Sequence, residues 1–134
     1  MPYPPDPALR ASVLRLYGAV WPAIPAAIHR AAEWGSDWFD MSTPFVEWEG
    51  DAVIAHVGVA FTDLFFDGRP RSVAAVHAVC VHPERQGRGL GRKMMERALA
   101  WIDSEGHPTT ILWSEKTAFY EKFGFERVQE PVFR

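Results

Sequence analysis

Residues 79–91 read VCVHPERQGRGLG, and the fold turns on this stretch. An apolar run from Val73 to Val81 breaks at His82-Pro83, passes through a turn holding Gly87, Gly89 and Gly91, and opens into a segment of helical periodicity. The spacing predicts a helix from 89 to about 104, with Leu90, Met94, Ala98 and Trp101 in one stripe and Met95, Leu99 and Ile102 beside it. Gly106 and Pro108 stop it. A strand feeding a glycine turn and then a helix gathers main-chain donors at one point. The amides of a first helical turn have no intrahelical acceptor, and the helix dipole puts partial positive charge at the same end. Glycines let a bulky anion approach the backbone. Arg85, Arg88, Arg92 and Lys93 add cationic side chains around it. The physical reading is a pyrophosphate site; the plainer alternative is an ordinary loop-to-helix junction. No Lys-Ser/Thr pair follows the glycines, as a Walker loop requires. The third glycine also comes one residue too early for the dinucleotide fingerprint.

The Val73–Val81 run is nearly all apolar, as a central strand buried on both faces would be. Before it, 45–49 and 53–64 read as strands, with turns at Gly50-Asp51 and Asp67-Gly68 and a candidate bulge at Gly58. Residues 7–18 and 24–34 have helical spacing, Pro22 and Pro25 interrupt between them, and 2–7 form a Pro-rich extended lead-in. After the long helix, 109–113 predict a short strand, 115–123 a short helix stopped by Gly124, and 125–132 a last strand. Three meandering strands feeding a βαβ unit predict a mixed sheet with helices on both faces.

The 134 residues are room for one domain, 1–134, with 48% hydrophobic and 23% charged residues. A net charge of −3 offers no basic field for nucleic acid. Cys80 is the lone cysteine, which excludes an intramolecular disulfide and a Cys-rich zinc site and fits a reducing compartment. The scattered histidines lack metal-ligand spacing, so no metal is expected. No apolar run approaches membrane-spanning length, and the opening MPYPPDPALR lacks the basic and apolar regions of a signal peptide. The expected location is the cytoplasm.

Gln86-x-x-Gly89-x-Gly91 resembles the (Arg/Gln)-x-x-Gly-x-(Gly/Ala) signature of the GNAT superfamily of N-acetyltransferases, and Val81 to Arg85 resembles the lead-in to it. Phe119-Tyr120-Glu121-Lys122-Phe123-Gly124-Phe125 resembles the second hallmark, Phe-Tyr-x-x-x-Gly-Phe, with Phe123 in the third variable place. The resemblance is specific over 72–128 and looser over 1–71. It implies the acyl-CoA N-acyltransferase fold: α/β, an α+β mixed sheet of five to six strands with about four helices. It further implies an acetyl-CoA-dependent N-acetyltransferase working on a small primary amine by direct transfer in a ternary complex. A non-catalytic CoA-binding sensor and an enzyme acting on a protein amine are the alternatives. In such a fold the strand at Val79, Cys80 and Val81 splays from its neighbour and pairs its backbone with the pantetheine arm. The amides of Gln86, Gly87, Arg88, Gly89, Leu90, Gly91 and Arg92 hold the pyrophosphate. Tyr120 sits near the sulfur, where a hydroxyl of pKa about 10 can protonate a thiolate of about 8–9. The plain alternatives are core packing for the strand side chains and for Tyr120.

An ammonium cannot attack a thioester, so a base is needed. His77 is the first candidate; two residues before Val79, it is expected on the same side of the strand. His56 is a second choice, with Glu47 and Asp63 behind it. Cys80 should alternate away from His77 and pack as a small hydrophobe, which speaks against an acetylated thiol. The resemblance places the acceptor among the early elements, here Trp21, Trp34, Asp37, Trp38, Phe39, Glu47, Trp48, Phe65 and Phe66, where aromatics beside carboxylates would suit a cationic amine or would simply fill the core. The Pro-rich start offers no candidate for the family's usual strand before the first helix, and none is expected after the fifth, so either a neighbouring subunit covers these edges or the fold is abbreviated. Uncovered edges favour pairing with another chain, so a homodimer is expected.

Overall fold

The computed structural model describes residues 3–129. Helix α1 (Pro7–Val20) starts where Asp6 accepts from the amides of Ala8 (2.9 Å) and Leu9 (3.2 Å) with Pro7 at the first helical position. It buries Leu9, Val13, Leu16 and Tyr17, and α2 (Ile24–Glu33) follows, burying Ile28. A 3-10 turn over Trp38–Asp40, capped by Asp37, leads into three antiparallel strands: β1 (Thr43–Glu49), β2 (Ala52–Phe66) and β3 (Arg69–Val81). Between β2 and β3, Asp67 (φ +51°) and Gly68 (φ +75°) both take the left-handed conformation that two-residue hairpins of matching twist require. After β3 come α3 (Leu90–Ser104), the two-residue β4 (Thr110–Ile111) and α4 (Thr117–Glu121). The order across the sheet is β1-β2-β3-β4, with β4 parallel to β3, so α3 is the crossover.

Helices cover both faces, as expected. On one, α3 and α4 pack Met94, Met95, Ala98, Ile102 and Tyr120 onto Ala55, Val57, Val59, Ala74 and Val76. On the other, α1, α2 and the 3-10 turn pack Leu9, Val13, Leu16, Tyr17, Ile28 and Phe39 with Val53 and Cys80. Tyr3 joins this second layer: it is buried, and its amide donates to the Phe39 carbonyl at 3.1 Å. Tyr3 of the Pro-rich lead-in is therefore built into the core, while Pro4, Pro5 and Asp6 stay exposed.

Two bulges set which side chains face which layer. Between Glu47↔Ala55 and Trp48↔Val53 the extra residue is Ile54 on β2. Between His56↔Cys80 and Gly58↔His77, Ala78 and Val79 together oppose Val57, so the extra residue lies on β3. Ala78 takes φ +48°, a conformation uncommon outside glycine. The bulge expected at Gly58 thus sits across the ladder from it. Gly58 serves space instead: a Cβ there would lie 2.6 Å from Cε1 of His77 and 2.9 Å from Oγ of Ser42.

The C-terminal part is shorter than the sequence predicts. The described residues hold four strands, not five to six; β4 spans two residues and α4 five. Residues 125–129 form no strand, and 130–132 of the expected last strand lie outside the described residues. A strand extends only where it has a ladder partner, and the β3–β4 pairing ends at Ala75↔Ile111. No helix among the described residues is long and apolar enough to cross a membrane.

Candidate functional site

The end of that pairing opens the candidate site. Past Ala75 the β3 edge facing β4, from Val76 to Val81, has no strand partner among the described residues. Its free backbone groups run toward the start of α3. There Gly89 is the N-cap at φ +72°, no side chain caps the helix, and the first turn closes with Lys93 N–H to the Gly89 carbonyl at 3.0 Å. The amides of Leu90, Gly91 and Arg92 are therefore left without intrahelical acceptors. Gly87 is also left-handed, at φ +80°. A Cβ on Gly89 would meet nothing within 4 Å, so what glycine supplies there is the backbone conformation. At Gly91 a Cβ would touch Cζ of Phe119 at 3.5 Å and Cγ2 of Val81 at 3.7 Å. The two hallmark segments thus meet at one corner, with the strand end between them.

Each cation expected to surround the turn has a carboxylate partner. Arg85 grips Glu49 (2.7 and 2.8 Å), Arg88 reaches the same carboxylate at 3.6 Å, Arg92 pairs with Glu96 at 2.9 Å and Lys93 with Glu47 at 2.9 Å. The hydrogen bond from Arg85 holds the Glu49 carboxyl below its usual range. Exposed pairs of this kind contribute little energy. They do restrain the positive field, leaving the uncapped amides as the sharpest anion-binding feature. Glu47, a candidate base, is engaged by Lys93.

Tyr120 is buried beside the same corner, packed in the α3 layer that Val79 and Val81 also line, with its ring 4.9 Å from Phe119 and 6.2 Å from Phe125. Burial raises its pKa, partly offset by the Ser114 hydroxyl, so the phenol keeps its proton. Cys80 faces the opposite layer, and burial pushes its thiol up to about 12, leaving no thiolate for acyl transfer at neutral pH.

His77 stands elsewhere than expected. The left-handed step at Ala78 resets the alternation of β3, so His77 lies on the face of Ala78 and Cys80, away from Val79. Its ring meets Trp38 edge-on at 4.9 Å, its Nε2 hydrogen-bonds Ser42 Oγ at 2.8 Å, and its buried Nδ1 has no partner among the described residues. Burial lowers its pKa to about 4. His56, fully buried, has both ring nitrogens bonded within the core, and burial lowers its pKa to about 3, so it is no base for a substrate. Asp63 is exposed on the outer part of the β2–β3 hairpin. Ser42 and Tyr3 were invisible as site residues in the sequence: each lies more than thirty positions from its histidine, with no local pattern around it.

Two depressions lie beside the partners of His77, one lined by Trp38 and the other by Ser42, though His77 itself lines neither. One is almost wholly apolar, formed by Ile24, Ala27, Ile28, Ala31, Trp38 and Met41. The other runs from Asp40 to Thr43 along Val59 to Thr62. They share Met41. Of the acceptor candidates, Trp38 lines this region, whereas Phe39 is core and Asp37 caps the 3-10 turn and pairs with Arg10 at 3.9 Å. Trp34 and Phe65 are largely exposed, at 86% and 72%.

Comparison with known proteins agrees with this architecture. The model of the acetyltransferase (GNAT) domain matches residues 9–128. The mycothiol acetyltransferase of Geodermatophilus obscurus is 31% identical over 97 residues, covering 67% of this chain and 30% of the relative; the chain thus spans about a third of the length of such curated relatives. Among solved structures, an acetyltransferase of Trypanosoma brucei superposes with a TM-score of 0.64 at 25% identity, covering 92% of this chain and 89% of the other. An aminoglycoside N-acetyltransferase in complex with the bisubstrate analog CoA-S-monomethyl-acetylneamine shares the fold, with a TM-score of 0.71 at 18% identity over 92% and 88% of the two chains. With a domain model spanning nearly all of it and the two hallmark segments meeting at one corner, this chain belongs to the GNAT family of N-acetyltransferases.

Proposed function

We propose that the protein transfers the acetyl group of acetyl-CoA directly to a small primary amine, with both substrates bound together. The observation that carries this is the unpaired β3 edge ending at an uncapped helix N-terminus. An edge of that kind pairs with a strand-like amide chain, and the amides at 86–92 donate to a diphosphate. A pantetheine arm joined to a pyrophosphate has both chemistries in the same order. That a structural relative was solved with CoA and an aminoglycoside joined in one analog supports a ternary complex.

In this reading the main chain of Val79 and Val81 aligns the thioester, and Gln86 to Arg92 anchor the diphosphate. The amine nitrogen attacks the carbonyl carbon, the C–S bond breaks, and Tyr120, held protonated by burial, gives its proton to the departing thiolate. The amine binds in its neutral form, its ammonium proton lost to solvent, and His77 takes a proton from the bonded nitrogen, directly or through water. With a pKa lowered to about 4 it is a weak base, suited to accept the proton late, once bonding to the carbonyl has made the nitrogen acidic. The apolar depression beside Trp38 and Met41 favours an amine with a substantial apolar body, and Asp40 is the carboxylate of the adjoining depression. Assembly as a homodimer in the cytoplasm completes the proposal: beyond Val59 the β2 edge lacks a β1 partner, and Phe61, Phe65 and Phe66 are exposed there.

A panel of aryl-alkyl amines, aminosugars, polyamines and amino-terminal peptides, assayed for free CoA release, tests the reading. Turnover with small amines is the expected result. Tight acetyl-CoA binding without turnover on any of them would replace the enzyme by a CoA sensor, and turnover confined to peptides would move the acceptor to protein. A monomer in sedimentation at high concentration would remove the dimer.

A further inference from the structure

We infer that His56 is a positioning residue that pins the β3 bulge from behind, and that through Tyr3 it makes the extreme N-terminal segment a working part of the acetyl-CoA edge. The consequence for acetyl-CoA rests on the function proposed above; the latch itself does not. The bulge leaves Ala78 outside the β2–β3 ladder, in a left-handed conformation that costs an alanine energy. Its carbonyl is met by a side chain instead: His56 Nδ1 lies 2.8 Å from the Ala78 oxygen. A carbonyl only accepts, so Nδ1 carries the hydrogen, and Nε2 is left as the acceptor.

Two phenols crowd that acceptor. Tyr3 Oη is in short hydrogen-bond contact with Nε2, and Tyr17 Oη lies 3.1 Å away. Both donate inward, Tyr3 to the ring and Tyr17 to the ring or to the Tyr3 oxygen at 3.5 Å. His56 is fully buried and Tyr17 likewise, with Tyr3 3% exposed, so none of these groups has water as a substitute partner. The chain of bonds Tyr3–His56–Ala78 therefore fixes the residue immediately before Val79, whose backbone belongs to the open edge. Tyr3 is itself tied down by its amide bond to Phe39. None of the three side chains reaches the open edge; they act through the backbone of Ala78.

The test uses the full chain with His56→Leu, His56→Asn and Tyr3→Phe. Long-range proton–nitrogen correlation spectra of the ligand-free wild type should show a neutral ring with the hydrogen on Nδ1, and the coupling constant of Ala78 should report positive φ. In His56→Leu that coupling should change and the acetyl-CoA dissociation constant should rise about tenfold, with kcat at saturation much less affected. Asparagine, which can still donate to the carbonyl, should restore most of the affinity. Tyr3→Phe, a milder change that keeps the ring packing, should weaken acetyl-CoA about twofold to threefold, which keeps the idea testable should the leucine variant fail to fold. A folded His56→Leu protein with wild-type Ala78 coupling and affinity would overturn the latch, as would a hydrogen on Nε2. If the wild type binds no acetyl-CoA, the proposed function falls, while the tautomer and the Ala78 coupling still decide whether the latch exists.

Discussion

The proposed acetyl-CoA corner and the proposed acceptor side of this domain are built from different materials. The corner is main chain: an unpaired strand edge, left-handed glycines and an uncapped helix start, where side chains mostly pair among themselves. The acceptor side is side chain: His77 on Ser42 and Trp38, drawn from β3, a loop and a 3-10 turn. A ligand held by backbone tolerates changes of side chain but no change of backbone conformation. A ligand held by side chains depends on small spaces being kept clear. The two regions should therefore fail in different ways.

The largest effect should come at the corner. Gly89→Glu forces a left-handed side-chain residue and a carboxylate onto the anion site, and should weaken acetyl-CoA about a hundredfold or more in calorimetry while the protein remains folded. Near-normal affinity would mean that the amides are not the diphosphate site. Next, Tyr120→Phe should lower kcat about ten- to a hundredfold with little change in acetyl-CoA affinity; an unchanged kcat in single-turnover measurements would reduce Tyr120 to packing. On the acceptor side, Gly58→Ala drives a methyl into the His77–Ser42 pair at 2.6–2.9 Å and should destabilise by about 1–3 kcal/mol, raising the amine KM but not that of acetyl-CoA. Equal effects on both would break the separation drawn here.

Acid should sharpen the contrast further. His56 and His77 are held neutral with pKa values of about 3 and about 4, against about 6.5 in an unfolded chain. Below about pH 6.5 the unfolded state takes up protons that the fold refuses, so stability is full above that pH, falls toward pH 4 and 3, and levels beneath. Replacing His56 by asparagine should remove its share of the fall in denaturant titrations across that window; an unaltered slope would mean the ring is not held neutral. The smallest effect should be Gly91→Ala, whose methyl meets Phe119 and Val81 at ordinary contact distance and should change acetyl-CoA affinity less than about twofold.

The same division governs what could be read from the residues alone. Main-chain sites often leave local traces, because glycine is favoured where the backbone turns left or a ligand comes near. Gly87 and Gly89 announced the turn, and the apolar run before them announced β3. The alanine at 78 gives no such notice: nothing in VHAVC marks a left-handed step, and without that step strand alternation puts His77 on the face of Val79. Gly58 was legible as special but not as space for a histidine that lies across the ladder. Tyr3, in a Pro-rich opening, showed no sign of the burial that its contacts with Phe39 and His56 produce. The strand predicted over 109–113 shrank to two residues for want of a partner beyond Ala75, a tertiary fact with no local signature.

The most direct measurement is a calorimetric titration of the purified wild-type protein with acetyl-CoA, run beside Gly89→Glu. Saturable one-to-one heat is expected for the wild type and none for the variant at the same concentrations. No heat and no thermal shift from the wild type at saturating acetyl-CoA, or equal heat from both proteins, would contradict it.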